Sequence, residues 1–591
     1  MARPLGRVLT SFFRIFGLFL LCGFPPILLA QTPDLTPVIP PPAPPPGQQK
    51  ASTPASVGKD EITAHDTPVT FKVSVNNVLV RVVVRNAQGK AITTLKKEDF
   101  QLADDRKPQT ISSFSVEVPG SHGTEVVIPR SEPGAAATES KTVKLPERFV
   151  ALFFDDLHLV TEDAMVARQA ATKLFAALQP TDRISIFTTS GQVERDFTSD
   201  RQKLEDTLQH IGPHGVSAHS ANDCPPVSFY EAHMIVEEHD SLATEVATLD
   251  AIACGVEPRA APVVAQSAAK RELAVGEAEL QFSFSNLSSL IRRMGALPGE
   301  RSIVMMSPGF FMNPSMRQSS DMIDRATRAG IVINTIDARG LYVSAADADL
   351  STRRCALPQC QSFIRQEEVL REDVLAELAD GTGGLFIHNR NDIDKGLLEA
   401  AAEPEASYVL GFSPQNLKLD GKYHHLKVSL TNKEKFSLQA RHGYFAPSKM
   451  ADPAIAASEE IQGAIYSHEE LRDLPIDCET QFFKNGESVR LSVTAKIDPR
   501  GLKFRRAADR NLDNLTIATA VFDDNGNLVT GIQRVIDLKL KDASLERLKQ
   551  TGVSVKSDFT IKPGIYLVRL VVRDSEGAQM AAMNRGVEIP Q

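Results

Sequence analysis

Tryptophan is absent from the 591-residue chain, and tyrosine occurs only 7 times against 29 phenylalanines. Platforms for stacking bases or sugars therefore have few candidates. A positive charge excess is also missing: Lys plus Arg total 65 and Asp plus Glu 74, for a formal charge of −9. A nucleic-acid backbone rewards a basic face, so nucleic acid is disfavoured as a general partner. After the first thirty residues no apolar run is long and uncharged enough to span a bilayer. The HExxH zinc motif does not occur, and the GTGG run at 381–384 precedes a strand instead of opening a helix, which makes it a tight turn and not a phosphate loop. A nucleophile elbow is missing too, because Met305 stands where the first glycine of G-x-S-x-G would precede Ser307.

Cysteines number only six, and none has the Cys-x-x-Cys spacing of a zinc site. Cys22 lies in the first segment. For the remainder the expected pairs are Cys224 with Cys254 and Cys355 with Cys360, leaving Cys478 free, as suits an oxidising compartment.

What is present begins with an Arg-bearing start (Arg3, Arg7, Arg14), an apolar stretch from Ile15 to about Leu29, and Ala30 before Gln31. Residues 1–30 read as a secretory signal. A retained membrane anchor is the alternative, shortened by Pro25 and Pro26, and a lipid on Cys22 is a minor one. Residues 31–60, with PPPAPPPG, form a Pro-rich linker that favours extended polyproline geometry. The folded part is therefore expected outside the cytoplasm: periplasmic, associated with the outer envelope, or secreted. Membrane contact is expected only through an uncleaved signal or a lipid.

The remaining length exceeds one ordinary domain at roughly 150 residues each, and 42% hydrophobic residues supply several cores. Residues 61–120 alternate with period two, as in FKVSVNNVLVRVVV, and predict an N-terminal β domain. A linker at 121–146 follows. Residues 147–405 alternate strand and helix: FVALFF, DAMVARQAATKLFAALQ, RISIFTT, a helix over 200–211, RSIVMMS, SDMIDRATRAG, IVINTI and GLFIH. That rhythm predicts a doubly wound, mostly parallel α/β sheet, with its ligand site at the carboxyl ends of the strands. An insertion at 212–275, partly helical, interrupts it. Residues 406–450 return to β periodicity and read as terminal strands associated with the α/β core, 451–475 connect, and 476–591 predict a C-terminal β-sandwich. The expected fold class is thus multidomain, a central α/β sheet flanked by β-sandwich-like domains.

Three groups of residues carry a family resemblance: FFDDLHL in the α/β region, the later SYVLGFSP, KVSL and GYF, and VRNAQGKAITTLKKEDFQLADDRKPQTISSF before it. Over roughly residues 68–450 the chain resembles the von Willebrand factor A related proteins of the acidobacterial type. The resemblance implies export, a von Willebrand factor A-like core, and descent from domains that bind other proteins through a metal-dependent adhesion site. The parent motif of that site, Asp-x-Ser-x-Ser, is matched by Asp155 alone, because Leu157 and Leu159 replace both serines. The later Thr-Asp-Gly is matched by Ser307, Pro308 and Gly309. The implied site is degenerate.

A different set of donors stands at the expected strand ends: Asp155, Asp156, His158, Ser307 and Asp337. Carboxylate oxygens with one imidazole suit Mg²⁺ or another hard divalent cation, and these are the candidate metal ligands. The competing expectation is that Asp156 caps the following turn, Asp155 accepts backbone N–H groups and His158 lies at the surface. Thr188 and Thr189 have a weaker claim. Asp99, Asp104 and Asp105 read as turn residues. His424 and His425, adjacent in a strand, point to opposite faces. The expected function is an exported, non-enzymatic module binding a protein or peptide in the envelope or outside the cell. A structural scaffold without metal is the alternative. A hydrolase using Ser307, with His158 as base and Asp337 as orienter, is a remote one.

Overall fold

The computed structural model describes residues 61–67, 78–88, 90–117, 146–215, 224–312, 318–342, 360–402, 406–412, 414, 422–431, 436–446, 453–467, 470–485, 488–577 and 579–589. The expected signal segment 1–30, the Pro-rich 31–60, the expected linker residues 121–145, Cys22 and Cys355 lie outside the described residues. Among the described residues no helix is long and apolar enough to cross a membrane.

Strands β1 (Ile62–Thr67), β2 (Val78–Arg85), β3 (Phe100–Asp104), β4 (Lys107–Gln109) and β5 (Ser113–Glu117) come first. Val80, Val82 and Val84 on β2 are buried against Tyr408, Leu410 and Phe412. Between β3 and β4 the two turn residues Asp105 and Arg106 both have positive φ, 45° and 67°. That is the backbone twist a two-residue hairpin favours.

The alternating region follows with β6 (Arg148–Phe154), α1 (Thr161–Ala176), β7 (Asp182–Thr188), β8 (Glu194–Thr198) and α2 (Arg201–Leu208). Helices α3 (Phe229–Val236), α4 (Ser241–Ala253) and α5 (Ala261–Met294) come next. Then come β9 (Glu300–Ser307), α6 (Gln318–Arg328), β10 (Ile331–Asp337), α7 (Cys360–Thr382), β11 (Phe386–Ile387) and α8 (Ile393–Ala401). Six strands make one sheet in the order β11-β10-β9-β6-β7-β8. The apolar run of β6 is explained by burial on both faces: Phe149, Ala151 and Phe153 meet α5, while Val150, Leu152 and Phe154 meet α1. Two expected helices differ in detail. The stretch from Ser228 to Ala253 is broken into α3 and α4, because the Asp240 side chain accepts from the Ala243 N–H and starts a new helix. The last insertion helix, α5, continues past residue 275 to Met294.

The GTGG run opens no helix, as its context predicted, but only its second half is a turn, because Gly381 and Thr382 still belong to α7. Thr382 ends α7, Gly383 has φ +80°, and a Cβ on Gly384 would stand 2.0 Å from the Ile333 carbonyl oxygen.

Strands β12 (Ser407–Phe412), β13 (Tyr423–Leu430), β14 (Ser437–Ala440) and β15 (Gly443–Phe445) do not extend the six-stranded sheet. Instead β12 lies between β2 and β5, and β13 pairs with β3. After α9 (Pro453–Tyr466) come β16 (Leu471–Arg472), β17 (Ile476–Asn485), β18 (Ser488–Ile497), β19 (Arg505–Ala507), β20 (Arg510–Phe522) and β21 (Leu528–Leu540). The chain closes with α10 (Asp542–Thr551), β22 (Val553–Ile561), β23 (Gly564–Asp574) and β24 (Gln579–Ile589). A seven-stranded and a three-stranded sheet here share one core, with Leu491 and Val493 facing Leu570 and Val572. β1, from the start of the described chain, joins the seven-stranded sheet beside β21.

The expected fold class needs correction. A single doubly wound, mostly parallel von Willebrand factor A-type sheet with β-sandwich-like domains on either side does not describe the molecule. The described strands form five separate sheets, of 7, 6, 4, 4 and 3 strands, and most pairings are antiparallel. Parallel pairing is confined to β6–β7, β6–β9, β9–β10 and β10–β11. Period-two alternation identifies a strand but not its partner, and antiparallel neighbours need only a tight turn or a returning segment.

Candidate functional site

The strand ends of the six-stranded sheet place Asp155 and Asp156 just after β6, Thr189 and Ser190 just after β7, and Ser307 at the end of β9. Asp155, Asp156, Thr189 and Ser307 are all fully buried. The Asp155 N–H donates to the Met306 carbonyl at 3.0 Å, and the Thr189 N–H donates to the Phe154 carbonyl at 2.9 Å. The backbone thereby draws three loop starts together.

Asp155 is the centre of the network. Its Oδ1 lies 2.8 Å from His158 Nδ1 and accepts the Thr189 hydroxyl at 2.9 Å, and its Oδ2 accepts the Ser307 hydroxyl at 2.5 Å. Burial opposes the Asp155 charge, but His158 and the two hydroxyls outweigh it and hold the carboxyl below its ordinary pKa. His158 is raised above the ordinary histidine value. Burial and Arg371 work against its protonation, and Asp155 with Glu279 of α5 overcomes them. Its Nε2 stands 4.0 Å from Glu279 Oε2, and its ring stacks on Phe310. The geometry is that of a carboxylate–imidazole pair in which Asp155 is fully buried and His158 partly exposed.

Asp156 turns to a second set of donors. Its Oδ1 accepts from the Ser190 N–H at 2.8 Å and from the Thr189 hydroxyl at 3.0 Å, and its Oδ2 accepts the Ser190 hydroxyl at 2.5 Å. His214 brings Nδ1 to 3.1 Å from Asp156 Oδ2, without the alignment of a hydrogen bond, while its N–H donates to the Asp156 carbonyl at 2.6 Å.

Of the five residues predicted as metal ligands, Asp155, His158 and Ser307 are therefore in direct contact, and Asp156 sits beside them through Thr189. Asp337 is turned elsewhere, with both carboxylate oxygens engaged by Arg339 at 2.7 to 3.0 Å. Ser307 gives its proton to Asp155 and not to His158, so a Ser–His–Asp relay is not the arrangement found. Thr189, Ser190, His214 and Glu279 are participants that sequence reasoning missed or placed low. Thr189 follows a strand end and was visible by position, whereas His214 and Glu279 reach the site from distant segments.

The insertion is fastened beside this network. Cys224 and Cys254 form a disulfide, as expected from the sequence, and Cys478 is free and buried, its thiol pushed up to about 12 by burial. Phe229, Tyr230 and His233 of α3 pack on Phe311, four residues beyond Ser307.

A second cluster lies away from the sheet rim. Asp104, Asp105 and His424 each place one ligand atom within 4.8 Å of the others, a donor set able to hold a divalent cation. Asp104 and His424 are buried and Asp105 is exposed.

No family model matches the chain, and no curated protein matches it. Among solved structures it is similar to the ArnB paralog VWA2 from Sulfolobus acidocaldarius, over 90% of this chain and 76% of that one, at 8% identity and a TM-score of 0.19. The likeness is distant and is not specific to the acidobacterial type.

Proposed function

We propose that the chain is an exported, non-catalytic module that binds a protein or peptide in the cell envelope, and that its Asp155 network is a metal-free, hydrogen-bonded substitute for an adhesion-site ion. One observation carries this reading. The two oxygens of Asp155 are already engaged by His158, Thr189 and Ser307, so a cation entering there must displace an imidazole and two hydroxyl donors. Export is supported by the Arg-bearing apolar start and by the Cys224–Cys254 bond, which belongs to an oxidising compartment. A purely structural envelope role shares the same filled rim and differs in having no stoichiometric partner.

The test is cross-linking of the tagged mature chain in intact cells, with and without EDTA, followed by Mg²⁺ titration of the purified protein. The same envelope partner is expected in both conditions. Partner capture that requires Mg²⁺ and disappears in Asp155→Asn would overturn the metal-free reading. Hydrolytic turnover abolished by Ser307→Ala would overturn the non-catalytic one.

A further inference from the structure

The cluster of Asp104, Asp105 and His424 is independent of the sheet rim and of the binding reading above. It joins the β3–β4 turn to β13, two segments about three hundred residues apart in sequence. The register Leu426↔Asp104, with the Asp105 N–H donating to the His425 carbonyl at 2.9 Å, brings them side by side.

Each carboxylate is anchored through one oxygen and presents the other. Asp104 Oδ2 accepts the Tyr444 hydroxyl at 3.0 Å, while Asp104 Oδ1 lies 3.2 Å from His424 Nδ1. Asp105 Oδ1 accepts the His425 N–H at 3.0 Å, while Asp105 Oδ2 lies 3.6 Å from the same ring nitrogen. A neutral imidazole carries at most one proton at Nδ1, which cannot satisfy two carboxylates fully. A divalent cation can. Two N or O ligands, each about 2.0–2.2 Å from a tetrahedral centre, lie roughly 3.3–3.6 Å apart. The nitrogen-to-oxygen separations here already match that edge within a small adjustment. Two negative charges with one neutral imidazole balance a 2+ ion, and the bonds from Tyr444 and the His425 amide are the outer contacts that orient metal ligands.

We propose that Asp104, Asp105 and His424 bind one divalent cation of the zinc class, through Asp104 Oδ1, Asp105 Oδ2 and His424 Nδ1, and that the ion pins the β3–β4 hairpin to β13. The exposed side of Asp105 leaves the remaining coordination position to solvent.

The experiment is calorimetric titration of Zn²⁺ into the chelator-stripped full chain, paired with its melting temperature. One ion per chain and a higher melting temperature with Zn²⁺ are expected. Asp105→Asn keeps an oxygen for the His425 amide and tolerates the left-handed backbone, so it is expected to fold like the parent in EDTA yet bind Zn²⁺ at least tenfold more weakly. His424→Gln is expected to lose binding as well. Absence of Zn²⁺ binding to the parent, or binding undiminished in Asp105→Asn, would overturn the assignment.

Discussion

Two Asp/His clusters in this molecule place carboxylates around an imidazole in opposite ways. At the sheet rim, Asp155 is surrounded by an imidazole and two hydroxyls, each donating to it, and Glu279 stands behind the imidazole. In the β flank, two carboxylates face one ring nitrogen. The first cluster is complete from its own side chains, and the second has more acceptors than protons. A third pair, Asp513 and Asp574, shows what happens when neither solution is present. With both groups charged, Asp513 Oδ2 has no donor facing it. Burial and the Asp574 charge push the Asp513 carboxyl up to about 7, where a retained proton lets it donate to Asp574. Residue composition alone does not sort these sites. The number of available protons against acceptor oxygens does.

The largest expected effect is at Asp155. Replacing it with Ala strands the His158 imidazole beside Glu279, removes the acceptor of the Ser307 hydroxyl and leaves the Thr189 hydroxyl with Asp156 alone, at a cost of about 3–5 kcal/mol. The midpoint of urea unfolding of the purified chain measures this, and a loss under about 1 kcal/mol would contradict a self-sufficient network. Tyr444→Phe is next. Losing a hydrogen bond to a charged group costs about 1.5–3 kcal/mol, and zinc affinity is expected to fall about 10-fold because an outer-shell contact is gone. An unchanged Zn²⁺ isotherm would show that Tyr444 does not orient Asp104.

Asp513→Asn tests the third case through pH. A carboxyl raised from 3.8 to about 7 contributes stability that is full below 3.8 and is lost as pH rises to about 7. The amide variant, which cannot ionise and can donate to Asp574, is expected to gain on the order of 1 kcal/mol over the parent at pH 8. That gain should vanish near pH 4, as read from paired denaturation curves. The smallest effect is expected from the rim pair. Asp155 is lowered, so its contribution is present above 3.8 and lost as pH falls through the folded value. His158 is raised, so its contribution is full below 6.5 and lost as pH rises through its folded value. Melting temperature should therefore decline on the alkaline side, and His158→Gln should flatten that decline. Equal alkaline slopes in the two proteins would rule out the charged pair.

The strands, most helices and the Cys224–Cys254 pair were legible because each rests on local pattern or spacing. FVALFF is apolar throughout because both faces of β6 are covered, and Gly330 closes α6 with φ +64°. Asp155, His158 and Ser307 were legible as strand-end donors for the same reason. Asp337 was not, because whether it met Asp155 or Arg339 depended on side-chain direction after β10. The Asp104–Asp105–His424 cluster was missed altogether. Its two aspartates read as turn residues and its histidine as half of an incompatible neighbouring pair, since the contact runs across strands and not along one.

The sequence by itself determined where the chain forms strands and helices, which strand ends carry oxygen donors, and which cysteines can meet, because these follow from periodicity and spacing within short stretches. Only the tertiary structure decided which strands pair, that β1 joins the last sheet and β12 lies between β2 and β5, and that Asp104 faces His424. Register is set by the burial of whole faces against partners hundreds of residues away, and no local pattern encodes that choice.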